Sequence, residues 1–320
     1  MSIILFDKVC IYDNITCRTI IYGQYNKSFD TIEIKNANND IEYTVNRCPD
    51  RPDFYIAMMG EYKFIDEISF YGKDHKETFE HIDLEFPFLN CDLNLQSDSC
   101  IITTICKQYT HRLIEWIEYN LRLGFSGIII FNNDGNTNNG INESLEYCVS
   151  DSTISDIQQQ FKSKVWIVNF PYSPLPGYHW NNLQRITLNI GVNQFLHKCH
   201  HIALIDADEF IYLPQNNQNI QTFLEPYRTI TMRSNILTNK NNNDIINNNV
   251  LQLCKYIGEN KYTKTILYTE DIKPFEFITT PHEHPTQTIL DKNKIIHYHC
   301  WVNKRYRYKK NMPRLELNFL

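Results

Sequence analysis

The chain has 320 residues, 42% of them hydrophobic and 21% charged, with a formal net charge of −6. That is enough apolar material for one large or two moderate globular domains, and the acidic balance argues against non-specific nucleic-acid binding through the whole surface. No run of about 18 apolar residues occurs, so no transmembrane helix is expected, and the start, MSIILFDKVC, lacks the basic-then-apolar pattern of a signal peptide.

These features predict a soluble, cytoplasmic protein. The ten cysteines are scattered with no C-x-x-C pair, which favours reduced, buried thiols over a structural zinc site. Asn14-Ile15-Thr16, Asn26-Lys27-Ser28 and Asn142-Glu143-Ser144 match the glycosylation pattern, but in so Asn-rich a chain such matches arise by chance.

Residues 1–98 read as a β-rich, sandwich-like module. Segments such as Thr19-Ile20-Ile21-Tyr22, Thr31-Ile32-Glu33-Ile34 and Ile68-Ser69-Phe70-Tyr71 are β-branched and aromatic, with turn residues close by. The pattern changes near residue 100. Ile101–Ile105 is a short apolar run of the kind buried on both sheet faces. A helix follows, with Leu113, Trp116, Ile117 and Leu121 on one face, Thr110 as its cap and Gly124 at its end. Gly127–Phe131 is a second buried strand, and Asn132-Asn133-Asp134-Gly135 a turn.

Residues 132–143 read as a polar loop, Lys164–Phe170 as a third strand and residues 182–198 as a helix with Leu183, Ile186 and Ile190 on one face. Ile202–Ile205 is a fourth strand. Alternating strands and helices predict an α/β domain over residues 99–320 with a mostly parallel sheet flanked by helices. Residues 239–249 form a low-complexity loop, and residues 250–312 mix short strands with turns.

The fourth strand runs straight into Asp206, Asp208 and Glu209. In open α/β sheets, ligands bind beyond the carboxyl ends of the strands. On an extended backbone, residues two apart face the same side, so Asp206 and Asp208 would converge. Such hard oxygen ligands suit Mg²⁺ or Mn²⁺ bound together with substrate phosphates. The blander alternative is a helix cap or a solvated loop. The apolar strand before the cluster, the apolar residues after it and Asp134 at another strand end favour a site.

From about residue 100 to 310 the chain resembles glycosyltransferase family 92, whose members have a GT-A-type fold. Glu115-Trp116-Ile117, Tyr119 and Leu123-Gly124 are similar to the family's E-W-I-x-Y-x-x-x-L-G helix. Ile130–Asp134 is similar to its I-Y-D-N turn, Ile205–Phe210 to its D-x-D-E-F core, and His297-Tyr298 with Lys309 to its C-terminal H-Y and following Lys. Asn-rich members of this kind occur in giant viruses, which points to host cytoplasm or virion. The resemblance implies inverting transfer of a sugar, often galactose, from a UDP-sugar to a glycan or other hydroxyl acceptor.

It further implies that Lys107, Asn133, Asp134, Asp206 and Lys309 face the nucleotide sugar, and that Asp206, Asp208 and His297 hold Mn²⁺ or Mg²⁺. A single displacement needs a carboxylate base; Glu283 is the first candidate and Asp271 the second. The family's Lys-Asn-Glu after the first strand is Lys107-Gln108-Tyr109 here, its acidic turn residue is Asn132, and the Lys-Ser after its H-Y is Trp301-Val302.

The altered Lys107-Gln108-Tyr109 and Asn132 positions slightly favour the alternative, a catalytically inactive carbohydrate-binding or structural protein that keeps the fold, and the intact Asp206 and Asp208 disfavour it. A nucleotidyltransferase would want a Gly-rich phosphate loop, which Cys106–Tyr109 is not. His282-x-His284 and His297-x-His299 are pairs that face one side of a strand, as metal ligands or as hydrogen-bonded core histidines. The run Lys304–Lys310 interleaves basic and aromatic residues, as in single-strand binders, or could close over the diphosphate. The acidic overall charge argues against nucleic acid.

Overall fold

The computed structural model describes residues 4–12, 17–36, 41–48, 51–60, 62–84, 91–107, 110–134, 151–214, 219–238, 251, 254–273, 276–300 and 312–314. In chain order the elements are β1 (Ile4–Tyr12), β2 (Cys17–Gln24), β3 (Thr31–Lys35), β4 (Tyr43–Arg47), β5 (Asp53–Met59), β6 (Phe64–Gly72), β7 (His75–Asp83), β8 (Cys100–Cys106), α1 (Thr110–Leu123), β9 (Gly127–Asn132), α2 (Asp151–Gln160) and β10 (Val165–Asn169). Then come α3 (Asn181–Phe195), β11 (His201–Leu204), β12 (Glu209–Tyr212), α4 (Ile220–Leu224), β13 (Ile230–Thr238), β14 (Tyr256–Tyr268), β15 (Thr288–Leu290) and β16 (Ile296–His299). They divide into two compact units. One holds Met1–Cys91, Tyr172–Phe195 and Pro274–Thr279; the other holds Asp92–Pro171, Leu196–Lys273 and Thr280–Leu320.

The first unit is built from two antiparallel sheets, β1-β2-β5-β4 and β3-β6-β7. The sequence TIEIK of β3 alternates exposed and buried, so Ile32 and Ile34 point inward. They join Ile21, Phe54 and Ile56 of one sheet and Ile68 and Phe70 of the other in a single core. Tyr25, Phe29, Phe54 and Phe70 pack at ring-centroid distances from 4.4 to 6.0 Å, in stacked, tilted and edge-on pairs.

Helix α3 clusters with this unit, although the sequence places it in the second domain. A row of polar residues one turn apart is buried on it: Arg185, Asn189 and Asn193. Asn193 donates to the Tyr22 hydroxyl at 2.7 Å, and that hydroxyl donates to the Asn189 carbonyl at 3.2 Å. The Asn189 amide clamps the Ile278 backbone with two bonds of 2.8 Å. Arg185 pairs with Asp53, which is fully buried. Each of the three side chains makes at least one hydrogen bond or ion pair, which offsets part of the cost of burying it.

The second unit carries a nine-stranded sheet in the order β10-β9-β8-β11-β14-β13-β16-β12, with β15 beside β13. Strands β10, β9, β8 and β11 are parallel neighbours. Every residue of β8 and β9 is buried, Thr103, Thr104 and Asn132 included, as expected of β-branched and apolar strands covered on both faces. Helix α1 buries Leu113, Trp116 and Ile117. Gly124 ends it at φ +106°, where its N–H bonds to the Leu121 carbonyl and that of Phe125 to Asn120. A Cβ there would lie 2.3 Å from Asn219 Oδ1, so only glycine fits.

The α/β class holds, but the sheet is mixed. Strands β14 and β12 run antiparallel to their neighbours. Where short strands were expected after residue 250, β14 runs for 13 residues. Its polar first half reads as loop, yet its pairing with β13 holds it extended, across one register shift between Arg233 and Asn235. Helix α2 has no counterpart in the sequence reading. Among the described residues no helix is long and apolar enough to cross a membrane.

Candidate functional site

Strand β11 is buried throughout, and the chain turns as it leaves it. Residues 206–209 do not continue as extended backbone. The Glu209 N–H bonds to the Asp206 carbonyl at 3.0 Å, and the Asp206 N–H bonds back to Glu209 Oε2 at 2.8 Å. This reciprocal closure resembles a capping box. Strand alternation therefore does not set the directions of Asp206 and Asp208 here; Asp206 reaches Lys264 and Asp208 reaches His299. The chain then pairs at once as β12 against β16, with Glu209 opposite His299 and Ile211 opposite His297.

Helix α1 holds β12 from behind. Trp116 Nε1 donates to the Glu209 carbonyl at 2.8 Å, and the Tyr119 hydroxyl donates to the Ile211 carbonyl at 2.6 Å. The Cys300 N–H bonds to the Asp208 carbonyl at 2.8 Å. The acidic turn is thus fixed through its backbone on both sides, and among the described residues its carboxylates meet basic groups of β14 and β16.

Those groups form a connected network. His299 Nε2 lies 3.1 Å from Asp208 Oδ2, and its Nδ1 lies 3.8 Å from Glu209 Oε1. His297 Nε2 lies 2.9 Å from Glu209 Oε1. Lys264 Nζ reaches Asp206 Oδ2 at 2.7 Å and Glu209 Oε2 at 3.1 Å. The Lys264 and Glu209 side chains are each 2% exposed, whereas Asp206 is 32% exposed and is the open side of the network.

Asp208, Glu209 and His299 bring one ligand atom each within 4.8 Å of one another. Two carboxylates and an imidazole are a donor set that suits Mn²⁺, with carboxylate oxygens that also suit Mg²⁺.

The protonation states follow from this packing. Burial works against the charged form of Glu209, but His297 and Lys264 outweigh it and hold Glu209 well below the usual carboxylate range. Burial also opposes the Lys264 ammonium, and Asp206 and Glu209 reverse that and push it up. Asp206 is raised, by burial first and by Glu209 and Asp208, against the pull of Lys264. His299 rises to about 9: burial lowers it, and the adjacent Asp208 more than offsets this.

The other residues singled out from the sequence fall into three groups. Lys107, Asn133 and Asp134 follow the carboxyl ends of β8 and β9, the edge where Asp206 follows β11. Asn133 is anchored there by its N–H to the Cys106 carbonyl at 2.9 Å and its side-chain amide to the Phe170 carbonyl at 2.7 Å. Glu283 is exposed, on a loop bonded to Thr263 and Thr265, the residues on either side of Lys264.

Asp271 is not brought to the cluster. It follows Tyr268, which pairs with His201 at the start of β11, the end opposite Asp206. There it bonds to Arg228 Nε at 2.8 Å and to the Thr229 N–H at 3.2 Å, a structural role. Lys309 and the basic run Lys304–Lys310 lie outside the described residues.

Two members of the network escaped the sequence reading. His299 was seen only as one of a pair, with His297 preferred; the structure puts His299 with Asp208 and sets His297 against Glu209. Lys264 was missed altogether, although a lone lysine ahead of the apolar Ile266-Leu267-Tyr268 is a visible oddity. A scan against models of known protein families finds no match, and a search of curated proteins finds none either.

Proposed function

We propose that the chain is a metal-dependent, inverting glycosyltransferase of GT-A type, resembling family 92, which moves a sugar from a UDP-sugar to a hydroxyl acceptor. The observation that carries this reading is the Asp208–Glu209–His299 cluster beyond the carboxyl end of a strand in the parallel part of the sheet. Asn133, Asp134 and Lys107 follow strand ends on the same edge, where α/β sheets bind their ligands.

In this reading Asp208, Glu209 and His299 would hold Mn²⁺ or Mg²⁺, with His299 giving up the proton that Asp208 otherwise favours; the ion when bound would supply Lewis acidity toward a diphosphate leaving group. Lys264 and His297 keep the Glu209 carboxylate ionised and aimed. Asp206, the most open carboxylate, and Asn133, Asp134 and Lys107 would contact the nucleotide. The exposed Glu283 would take the acceptor's proton. Asp271 is set aside as the base because it sits at the far end of β11 from the cluster.

The test is UDP release from a panel of UDP-sugars with an added acceptor mixture, with and without Mn²⁺, for wild type and Asp208→Ala. Donor-selective, metal-dependent release that the variant lacks supports the transferase. A second reading, an inactive binding protein that keeps the fold, is favoured by Lys264. That side chain pairs Asp206 and Glu209 internally, so much of the network is neutralised without an ion. Absence of release together with absence of Mn²⁺ binding would select it.

A further inference from the structure

The first unit contains a cavity of about 530 Å³ that is separate from the acidic cluster and has the opposite charge. Its wall carries Lys27, Arg47 and Arg51 and no acidic side chain. Lys27 is neutralised from outside by Glu77 at 2.8 Å. The two arginines are not neutralised: among the described residues neither has an acidic partner. Arg47 donates to the Phe29 carbonyl and lies over the Phe29 ring at 5.4 Å, which holds its guanidinium in place. The Arg51 charge is felt by Arg185, whose pKa it lowers in addition to the larger effect of burial.

The cavity is also built rather than incidental. The Tyr25 N–H bonds to the Pro52 carbonyl at 3.0 Å, tying the loop after β2 to the loop before β5. The second loop is closed on itself by Cys48 N–H to Asp53 O at 3.0 Å and Arg51 N–H to Cys48 O at 3.2 Å. A preformed recess with two guanidiniums that have no acidic partner among the described residues suits a phosphate or carboxylate, since Arg presents its donors as a fork.

Two further groups on the wall ask for more than a bare anion. Asn26 Oδ1 is buried and accepts no hydrogen bond among the described residues, so it awaits a hydroxyl donor. The Tyr178 ring, 36% exposed, offers a flat apolar face. The volume lies within the range of small-ligand pockets.

We propose that this cavity binds a phosphorylated monosaccharide, with Arg47 and Arg51 on the phosphate, Asn26 on a sugar hydroxyl and Tyr178 against the ring. The site does not depend on the transferase reading. Calorimetric titration of the full chain with glucose 6-phosphate, inorganic phosphate and glucose tests it. Glucose 6-phosphate binds most tightly, inorganic phosphate more weakly and glucose weakest, and added salt weakens the two anions.

Arg51→Gln weakens glucose 6-phosphate roughly tenfold and the Arg47→Gln/Arg51→Gln pair by considerably more, each lost charge-assisted contact being worth about a factor of ten or above. Arg51 is exposed, so the melting midpoint of Arg51→Gln stays at the wild-type value. Asn26→Ala removes the preference for glucose 6-phosphate over phosphate. Asp208→Ala leaves binding unchanged, which separates this site from the acidic cluster. Absence of saturable binding by any probe, or equal affinity in the double arginine variant, would overturn the proposal. Phosphate binding as tightly as the sugar phosphate would overturn its sugar half.

Discussion

Replacing Lys264 with methionine perturbs the acidic network at its most buried cation. The substitution keeps most of the volume and removes the charge. Glu209, 2% exposed, loses a partner at 3.1 Å, while His297 at 2.9 Å and His299 at 3.8 Å remain. Removing one member of a buried ion pair costs about 3–5 kcal/mol. The remaining histidines place Glu209 at the low end of that range. The Asp206 contact adds little, about 1 kcal/mol or less, because Asp206 is a third exposed.

The expected loss is therefore about 3 kcal/mol, a fall of roughly 6–12 °C in the unfolding midpoint of a unit of this size. Restoring electrical balance should recover it: Lys264→Met/Glu209→Gln, with both charges gone, is markedly less destabilised than the sum of the single variants. The single variant also makes the cluster more negative, so added Mn²⁺ raises its midpoint by more than it raises that of wild type. Thermal and denaturant unfolding of the four proteins, with and without Mn²⁺, checks this. Additive single-variant losses, or a Lys264→Met loss below about 0.5 kcal/mol, would refute the assignment of Lys264 as the buried counter-ion.

Three other outcomes follow from the packing. Trp116→Phe keeps the ring but leaves the buried Glu209 carbonyl without its 2.8 Å partner, and should cost about 1–3 kcal/mol by denaturant unfolding; wild-type stability would contradict the clamp on β12. Asp53→Ala strands the buried Arg185 and should destabilise the first unit by about 3–5 kcal/mol, leaving Mn²⁺ binding by folded protein unchanged. Burial pushes the Asp271 carboxyl up, but Arg228 and Thr229 more than reverse this and hold it below its ordinary value.

For Asp271 a depressed folded-state pKa means stability that is present above the unfolded value, about 3.9, and lost as pH falls through the lower folded value. Asp271→Asn should therefore be less stable near neutrality and show a flatter loss as pH falls below about 4, by midpoints measured against pH. An unchanged acid slope would show that Asp271 does not carry it.

The strands of the parallel half could be read from the sequence because runs such as Ile101–Ile105 and Gly127–Phe131 are buried on both faces and are β-branched or apolar, with no charged residue. The acidic turn was visible for the same reason, as carboxylates placed where an apolar strand stops. Its geometry was not. The Asp206-x-x-Glu209 spacing closes a turn, and the strand has already ended at Leu204, so alternation does not extend to Asp206 and Asp208. Lys264 pairs with Asp206 across 58 residues of sequence, a contact that periodicity cannot supply.

The placement of α3 was hidden by its chemistry. Arg185, Asn189 and Asn193 are polar residues of the kind a helix usually turns to water, yet each finds a buried polar partner in the first unit. Trp116 and Tyr119 were noticed as motif residues; only the structure shows them bonded to the backbone of β12.

The central claim is that Asp208, Glu209 and His299 form a divalent-metal centre that serves a nucleotide. Calorimetric titration of Mn²⁺ into the full chain, alone and with UDP, tests it most directly in wild type, Asp208→Ala and His299→Ala. The account predicts one Mn²⁺ site, tighter in the presence of UDP and lost in both variants while their folds persist. No Mn²⁺ binding in wild type, or binding that survives both substitutions, would contradict it.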